Sequence, residues 1–143
     1  MPGVKKVIHT CIWVSDIEKT KEFYIQGLGL NHTWGFTGTD GINNFYVSGG
    51  EGGAEIQFKY QGMDESAQEQ GVTIDRRGMD HLALSVDDVN QTVDHIVEQT
   101  GCNIIIEPFQ NDETGVRAAF IEDPDGYIVE LVQYLENGTN SKV

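Results

Sequence analysis

Basic residues are scarce in this sequence, and long apolar runs are absent. Lysine and arginine together number 9, against 23 aspartate and glutamate residues, so the formal net charge is −14. Nucleic acids and anionic membrane surfaces bind to basic faces, and we expect neither as a partner. No apolar run approaches the roughly 20 residues that cross a bilayer, and the first residues lack the apolar segment of a secretory signal. These absences predict a cytoplasmic protein.

Cysteine is scarce as well. Cys11 and Cys102 are the two in the chain, and neither belongs to a Cys-x-x-Cys pair. A zinc site made of thiolates is therefore unsupported, and a disulfide is not expected in a cytoplasmic protein. We interpret both as small apolar residues within strands.

The composition is otherwise that of a folded protein. Hydrophobic residues make up 38% and charged residues 22% of the 143, which fits one compact domain or two small modules fused together. The acidic surface suits either a salt-rich cytoplasm, as in halophiles, or an ordinary acidic protein, and charge alone does not separate the two.

What the sequence does contain is a repeat of one structural unit. Runs of β-branched and aromatic residues predict strands, and apolar residues at helical spacing predict one helix in each half. Each half then reads strand, helix, strand, strand, strand. The predicted strands are about 4–14, 30–36, 42–47 and 54–60, with a helix over 16–26, and then 79–86, 103–107, 116–122 and 127–134, with a helix ending near residue 100.

This repeat predicts an α+β fold made of two βαβββ modules. We place the first module at residues 1–62 and the second at 78–135. The polar segment 63–77 between them is rich in Glu and Gln and is predicted to be a linker. The polar residues 136–143 are predicted to form a flexible tail.

Capping residues mark where the two helices begin and end. Ser15, with Glu18 three residues later, has the pattern of a capping box and predicts the N-cap of the first helix. Asp87 or Asp88 is predicted to cap the second helix, and Gly101 is predicted to end it.

Each half also carries one histidine and one glutamate at equivalent positions. His9 and His81 lie on the first strand of their modules, and Glu55 and Glu130 lie on the last strand, at nearly the same spacing. Side chains alternate between the faces of a strand, which leaves His81 and Glu55 opposite the apolar residues that should pack under the helices. The strand of Glu130 has apolar residues on both faces, as expected if that side is enclosed as well. A single strand histidine is more often a hydrogen-bonded core residue, but a duplicated pair predicts a metal site.

The donor set limits the choice of metal. Two imidazoles and two carboxylates, without thiolate, suit Ni²⁺, Co²⁺, Zn²⁺, Fe²⁺ or Mn²⁺. In an octahedral shell these four ligands leave two positions. Those positions suit water or two adjacent oxygens of a substrate.

Four stretches of the chain then carry a resemblance to a known family. They are residues 7–10 with 22–24 and 27–30 in the opening strand and helix, 54–56 in the fourth strand, 81–87 at the start of the second module, and the Asp-Pro-Asp-Gly hairpin within 119–131. On these stretches the chain resembles glyoxalase I (lactoylglutathione lyase) of the vicinal oxygen chelate superfamily, over about 7–132. The Asp-Pro-Asp-Gly turn is common across that superfamily. The quartet of His and Glu residues is more specific, because in the family these four residues bind the metal.

The resemblance implies an architecture and a cofactor. Family members fold as paired βαβββ modules that curve around one divalent metal ion, and many are homodimers whose sites combine modules of two subunits. Here it implies a site with His9 and Glu55 from one subunit and His81 and Glu130 from the other. A histidine as first ligand and a short chain are similar to the nickel- or cobalt-activated bacterial type, while Zn²⁺ and Mn²⁺ stay open.

The resemblance also implies a reaction, the detoxification of methylglyoxal. Glyoxalase I isomerises the hemithioacetal of methylglyoxal and a thiol to a lactoyl thioester through an enediolate, whose two adjacent oxygens a divalent cation stabilises. By resemblance Glu130 is the first candidate for the base, with Glu55 serving the opposite substrate epimer. The alternative is that both glutamates only coordinate the metal.

The residues expected to bind the rest of the substrate depart from the family pattern. Arg77 matches a glutathione-binding arginine of the family, and Arg117 is expected near the mouth of the site. Trp13 stands where the family has an arginine, and Lys59 stands where it has a polar amide. The thiol implied is therefore glutathione or, given Trp13, a different one such as γ-glutamylcysteine.

Two other functions remain open. One is another metalloenzyme of the superfamily, an acyl-CoA epimerase or an extradiol dioxygenase. Epimerase-like chains usually pair two histidines at the fifth strand, where this chain has Asp80 before His81, and dioxygenases use three ligands. The other is a non-catalytic small-molecule binder, such as an antibiotic-sequestering protein, which generally lacks the full quartet.

Overall fold

The chain folds as two compact units, Met1–Val72 and Thr73–Val143. The computed structural model describes residues 7–61, 81–112 and 114–135. The predicted linker 63–77 and the predicted tail 136–143 lie outside these residues. The module boundaries drawn from the sequence therefore stay a prediction.

The first unit contains one four-stranded mixed sheet. Its elements are β1 (His9–Trp13), α1 (Ile17–Lys21) continued by a π-helical turn (Glu22–Gly27), β2 (Asn31–Thr37), β3 (Asn43–Gly49) and β4 (Gly52–Tyr60). The strand order is β1-β4-β3-β2. Strand β1 is parallel to β4, because the helix carries the chain back across the sheet, and the other pairs are antiparallel.

The second unit repeats this arrangement. Its elements are β5 (Leu82–Ser85), α2 (Val89–Thr100), β6 (Ile104–Asn111), β7 (Val116–Glu122) and β8 (Ile128–Tyr134). The strand order is β5-β8-β7-β6, again with the first strand parallel to the last. The predicted α+β fold of two βαβββ modules is confirmed.

Each helix packs its apolar side on its own sheet. In the first unit the Tyr24 ring lies 4.8 Å from the Phe58 ring, centroid to centroid, and both side chains are buried. In the second unit Val93 and Ile96 of α2 are buried, as are Ile121 and Leu131 on the sheet. Truncating such a fully buried aromatic to alanine costs about 3–5 kcal/mol. Because each helix covers one face of its sheet, the opposite face of each sheet is available for a functional site.

The predicted cap of the first helix is wrong by one residue. Asp16, not Ser15, is the N-cap, and its carboxylate accepts hydrogen bonds from the backbone N–H groups of Glu18 and Lys19 at 3.0 and 3.2 Å. An ionised carboxylate is the better acceptor for these N–H groups because it also complements the positive end of the helix dipole.

The caps of the second helix agree with the sequence. Asp88 is the N-cap and accepts a hydrogen bond from the backbone N–H of Gln91 at 3.0 Å. Gly101 is the C-cap, with a left-handed φ of 66° that glycine adopts without a Cβ clash. None of the helices within 7–61, 81–112 and 114–135 is long and apolar enough to cross a membrane.

Candidate metal centre

The first unit places His9 and Glu55 side by side. They are register partners on the parallel strands β1 and β4. Ile56 and Phe58 point into the core under the helix, so alternation turns Glu55 to the opposite face. Glu55 is half-buried there and His9 is exposed. This face of the first sheet presents one imidazole and one carboxylate.

Thr33 on the edge strand β2 holds the Glu55 carboxylate. Its hydroxyl Oγ1 donates a short hydrogen bond to Glu55 Oε2. The pairing of β2 with β3 is irregular between His32 and Trp34. Thr33 lies at this irregularity, where a bulged strand can redirect a side chain, and its hydroxyl contacts Glu55. Sequence reasoning missed Thr33, since nothing in the strand pattern signals the irregularity.

The second unit places His81 and Glu130 in direct contact. His81 Nε2 lies 3.4 Å from Glu130 Oε2, and the two side chains are 33% and 21% exposed. The Phe120 ring stands edge-on to the His81 ring at a centroid distance of 5.6 Å. Phe120 is also the register partner of Glu130, so an apolar ring borders this pair on one side.

The histidine and glutamate of each unit are donors that suit a divalent transition metal. Imidazole with carboxylate is the donor chemistry of Ni²⁺, Co²⁺, Zn²⁺ and Mn²⁺ sites. Among the side chains that the structure describes, no group of three or more His, Cys, Asp or Glu could hold a metal ion. Each unit thus presents one imidazole and one carboxylate.

The pair in the first unit borders a polar and aromatic region that includes buried side chains. The Tyr46 ring stands edge-on to His9 at 6.0 Å between centroids. Burial raises the pKa of the Tyr46 phenol, and the nearby Cys11 and Glu55 raise it further. Gln57 donates a 2.7 Å hydrogen bond to Asn44 Oδ1, and both amides are buried. Tyr46 is therefore a neutral phenol at ordinary pH.

Trp13 and Lys59 contact each other on the same face. They are register partners on β1 and β4, and Lys59 Nζ lies 5.6 Å from the centre of the Trp13 ring. Each lies four residues along its strand from His9 or Glu55, roughly 13 Å away. Partial burial raises the pKa of the Cys11 thiol, and the nearby positive charge of Lys59 offsets part of that rise.

Arg117 lies on the other face of the second sheet, away from Glu130. Its Nε donates a 2.6 Å hydrogen bond to Asn90 on α2, and its register partner Gln133 accepts from the backbone N–H of Val89. Gln133 and Glu130 are three residues apart on β8, so they point to opposite faces. The expectation that Arg117 contacts the same substrate as Glu130 therefore does not fit its position. Arg77 lies outside the described residues.

Known sequences and structures were compared with this chain. Residues 6–131 match the family model of the Glyoxalase/Bleomycin resistance protein/Dioxygenase superfamily. The chain is 32% identical over 141 residues to a probable lactoylglutathione lyase of Vibrio cholerae, covering 90% of each chain. It is 30% identical over 142 residues to the lactoylglutathione lyase of Haemophilus influenzae, covering 90% of this chain and 92% of that one.

The fold is similar to that of a solved plant enzyme. Superposition on the crystal structure of glyoxalase I from Zea mays gives a TM-score of 0.75 at 24% sequence identity, over 92% of this chain. The chain spans 45% of the maize chain, slightly less than half. At this identity the likeness establishes the fold and nothing finer.

Proposed function

Because the chain belongs to the glyoxalase/bleomycin resistance protein/dioxygenase superfamily, we propose that it is a metal-dependent lyase of the glyoxalase I type. It converts the hemithioacetal of methylglyoxal and a thiol to a lactoyl thioester, and so detoxifies methylglyoxal. The observation that carries this proposal is the duplicated pair of imidazole and carboxylate, with His81 Nε2 3.4 Å from Glu130 Oε2 and His9 beside Glu55. The similarity to two bacterial lactoylglutathione lyases supports the same reaction.

The four side chains bind one divalent ion in this proposal. The two histidines and two glutamates together would give the ion four protein ligands. Ni²⁺ or Co²⁺ suits these ligands best, with Zn²⁺ and Mn²⁺ as the other candidates. When bound, such an ion stabilises negative charge developing on two adjacent substrate oxygens. We propose that His9 and Glu55 of one subunit act with His81 and Glu130 of a second, in a homodimer.

Glu130 carries the proton in the reaction. It takes the proton from the carbon that bears sulfur, and the substrate becomes an enediolate. It then returns the proton to the neighbouring carbon, and the hydroxyl proton of the first carbon passes to the oxygen of the second. The hemithioacetal thus becomes a thioester with no net change of atoms or electrons. Glu55 performs the same transfer on the opposite substrate epimer. The Phe120 ring beside His81 keeps water from one side of this pair.

Lys59 and Trp13 are proposed to contact the thiol. Lys59 offers one positive charge to a carboxylate of the thiol, and the Trp13 ring offers an apolar surface beside it. An indole cannot form the paired hydrogen bonds to a carboxylate that an arginine forms. A thiol whose carboxylates lie at other positions, such as γ-glutamylcysteine without the glycine of glutathione, therefore competes with glutathione as the co-substrate.

The deciding experiment assays protein reconstituted with Ni²⁺ or Co²⁺. Methylglyoxal is supplied with either glutathione or γ-glutamylcysteine, and thioester formation is followed in the ultraviolet. We expect turnover with one of the two thiols, none after chelation, and recovery when metal is restored. Failure with both thiols in fully metal-loaded protein would reject the glyoxalase assignment.

The same experiment separates the other functions. A non-catalytic binder would hold its ligand equally well before and after chelation. An epimerase or a dioxygenase of the superfamily would bind the metal but form no thioester from methylglyoxal. Metal binding without thioester formation would therefore point to one of those enzymes.

A further inference from the structure

A cavity beside α2 in the second unit takes no part in the proposed reaction. It has a volume of about 460 Å³ and is lined by residues of α2, β6 and β7. Arg117, which has no role in the proposed function, forms part of its wall, on the face of the sheet opposite Glu130. Pockets of roughly 300–1,000 Å³ are the size that binds small molecules. The cavity is therefore a candidate for a second binding site.

The floor of this cavity is apolar. Val93 and Val97 of α2 lie one helical turn apart and meet Ile104 and Pro108 of β6 across the cavity. Val93 is buried, and the other three are half-buried. A chain of methylene groups laid along this floor is removed from water, which favours its binding.

Charged groups of opposite sign stand at different points along the floor. Near the N-terminal end of α2, Arg117 Nε donates a 2.6 Å hydrogen bond to Asn90 Oδ1. This bond orients the guanidinium, whose two Nη groups can still form paired hydrogen bonds with a carboxylate. Farther along, the exposed carboxylates of Asp94 on α2 and Glu107 on β6 line the cavity. One end of the cavity thus suits an anion, and its middle suits a cation.

The spacing of these charges sets the length of a ligand. Asp94 follows Asn90 by one helical turn, roughly 6 Å along the axis of α2. On β6, Glu107 precedes Gln110, the register partner of Arg117, by no more than roughly 10 Å. A staggered chain of about five methylene groups separates its two ends by a distance in this range.

We propose that the cavity binds an aliphatic amino acid whose amino group stands at the far end of the carbon chain, such as 6-aminohexanoate. The carboxylate pairs with Arg117, and the methylene chain covers the apolar floor. The ammonium lies between Asp94 and Glu107. This site is separate from the candidate metal ligands, and it holds its ligand whether or not the chain is a glyoxalase.

Titrations of the Zn²⁺-loaded protein test the two charges of the ligand separately. The compounds are 6-aminohexanoate, pentylamine, which lacks the carboxylate, and hexanoate, which lacks the ammonium. Binding is followed by nuclear magnetic resonance of the backbone amides of α2 and β6. We expect 6-aminohexanoate to bind with a dissociation constant on the order of 1 mM, and each of the other two at least about tenfold more weakly.

A shorter ligand tests the spacing. The compound 4-aminobutanoate lacks two methylene groups and should bind more weakly than 6-aminohexanoate, because it cannot reach both charged ends and covers less of the floor. Equal affinity for 6-aminohexanoate and any of the three other compounds overturns the proposal. So do amide shifts that are absent from α2 and β6 at ligand concentrations up to about 20 mM.

Variants assign each end of the ligand. Arg117→Gln should abolish most of the preference for 6-aminohexanoate over pentylamine, and Arg117→Lys should keep part of it, because the positive charge stays. Asp94→Asn should weaken 6-aminohexanoate about fivefold. Asp87→Asn removes an exposed carboxylate of the same unit from outside the cavity, and it should leave the dissociation constant unchanged.

Thermal unfolding of each variant checks that it is folded, so that a loss of binding reports on the site. An unchanged preference in folded Arg117→Gln overturns the proposal. An equal loss of affinity in Asp94→Asn and Asp87→Asn also overturns it, because the ammonium would then respond to the overall negative charge and not to this cavity.

Discussion

Thr33 shows how a single hydroxyl positions a candidate metal ligand. A carboxylate that coordinates a metal is normally oriented by a hydrogen bond to its second oxygen or to the coordinating one, and losing that bond weakens the metal site. Thr33 donates such a bond to Glu55. Its neighbour on the same strand, Thr37, donates instead to Asn43 at 2.8 Å. The two threonines form a matched pair for testing this role.

We expect Thr33→Val to raise the dissociation constant for Ni²⁺ about tenfold, because Glu55 loses the group that orients it. Thr37→Val should leave the constant within about twofold, since the Thr37 hydroxyl donates to Asn43 and not to Glu55, and surface changes of this kind have small effects. Competition with a chromophoric chelator measures both constants. Equal constants in the two variants would show that Thr33 has no part in metal binding.

Glu130→Gln tests the proposed base. The amide keeps an oxygen that can coordinate but cannot carry the proton, so we expect kcat to fall by about 100-fold or more with metal binding partly retained. Glu98→Gln, which changes an exposed carboxylate on α2, is the control and should keep full activity. Full activity in Glu130→Gln itself would remove this residue as the base and leave it at most a ligand.

The two helices show how caps determine where an element begins. Sequence patterns predicted both helices, but at the first one Ser15 and Asp16 are adjacent and each is a good N-cap residue. The backbone of Asp16 is extended, with φ of −139° and ψ of 102°, and its carboxylate meets the free N–H groups of the first turn. The choice between neighbouring caps follows from the path of the chain leaving β1.

The second helix offers a direct test of its cap. Asp88→Ala removes the acceptor for the backbone N–H of Gln91 and should lower the free energy of unfolding by about 1 kcal/mol. Asp87→Ala removes a neighbouring exposed carboxylate that is not the cap and should cost less than about 0.5 kcal/mol. Urea denaturation of both variants measures the difference. Equal losses would mean that charge near the helix, rather than capping, matters.

At the scale of the whole molecule, each of the two units carries one pair of candidate metal ligands. The repeat of β1-β4-β3-β2 as β5-β8-β7-β6 puts His9 on β1 and His81 immediately before β5. Each histidine has a glutamate on the neighbouring parallel strand, Glu55 on β4 and Glu130 on β8. Duplication thus gives the chain two candidate pairs from one local arrangement. The proposed site, which combines both pairs, is compatible with a homodimer in which two chains share each site.

Mixing two inactive variants tests the shared site. One variant carries His9→Ala and Glu55→Gln, and the other carries His81→Ala and Glu130→Gln. If each site combines two subunits, a mixed dimer contains one intact site, and random pairing restores about a quarter of the unaltered activity. If each site lies within one chain, mixing restores none. Activity after joint refolding of equal amounts gives the answer.

The sequence by itself determined the two βαβββ modules, because β-branched runs, helical periodicity and cap residues act locally and leave a repeated pattern. It also singled out His9, Glu55, His81 and Glu130 as candidate ligands, because they occupy equivalent positions in the two halves. Only the tertiary structure decided the cap at Asp16, the bond from Thr33 to Glu55, and the turning of Arg117 to the helix side. These features depend on strand register and chain path, and a one-residue shift in register sends a side chain to the other face of the sheet.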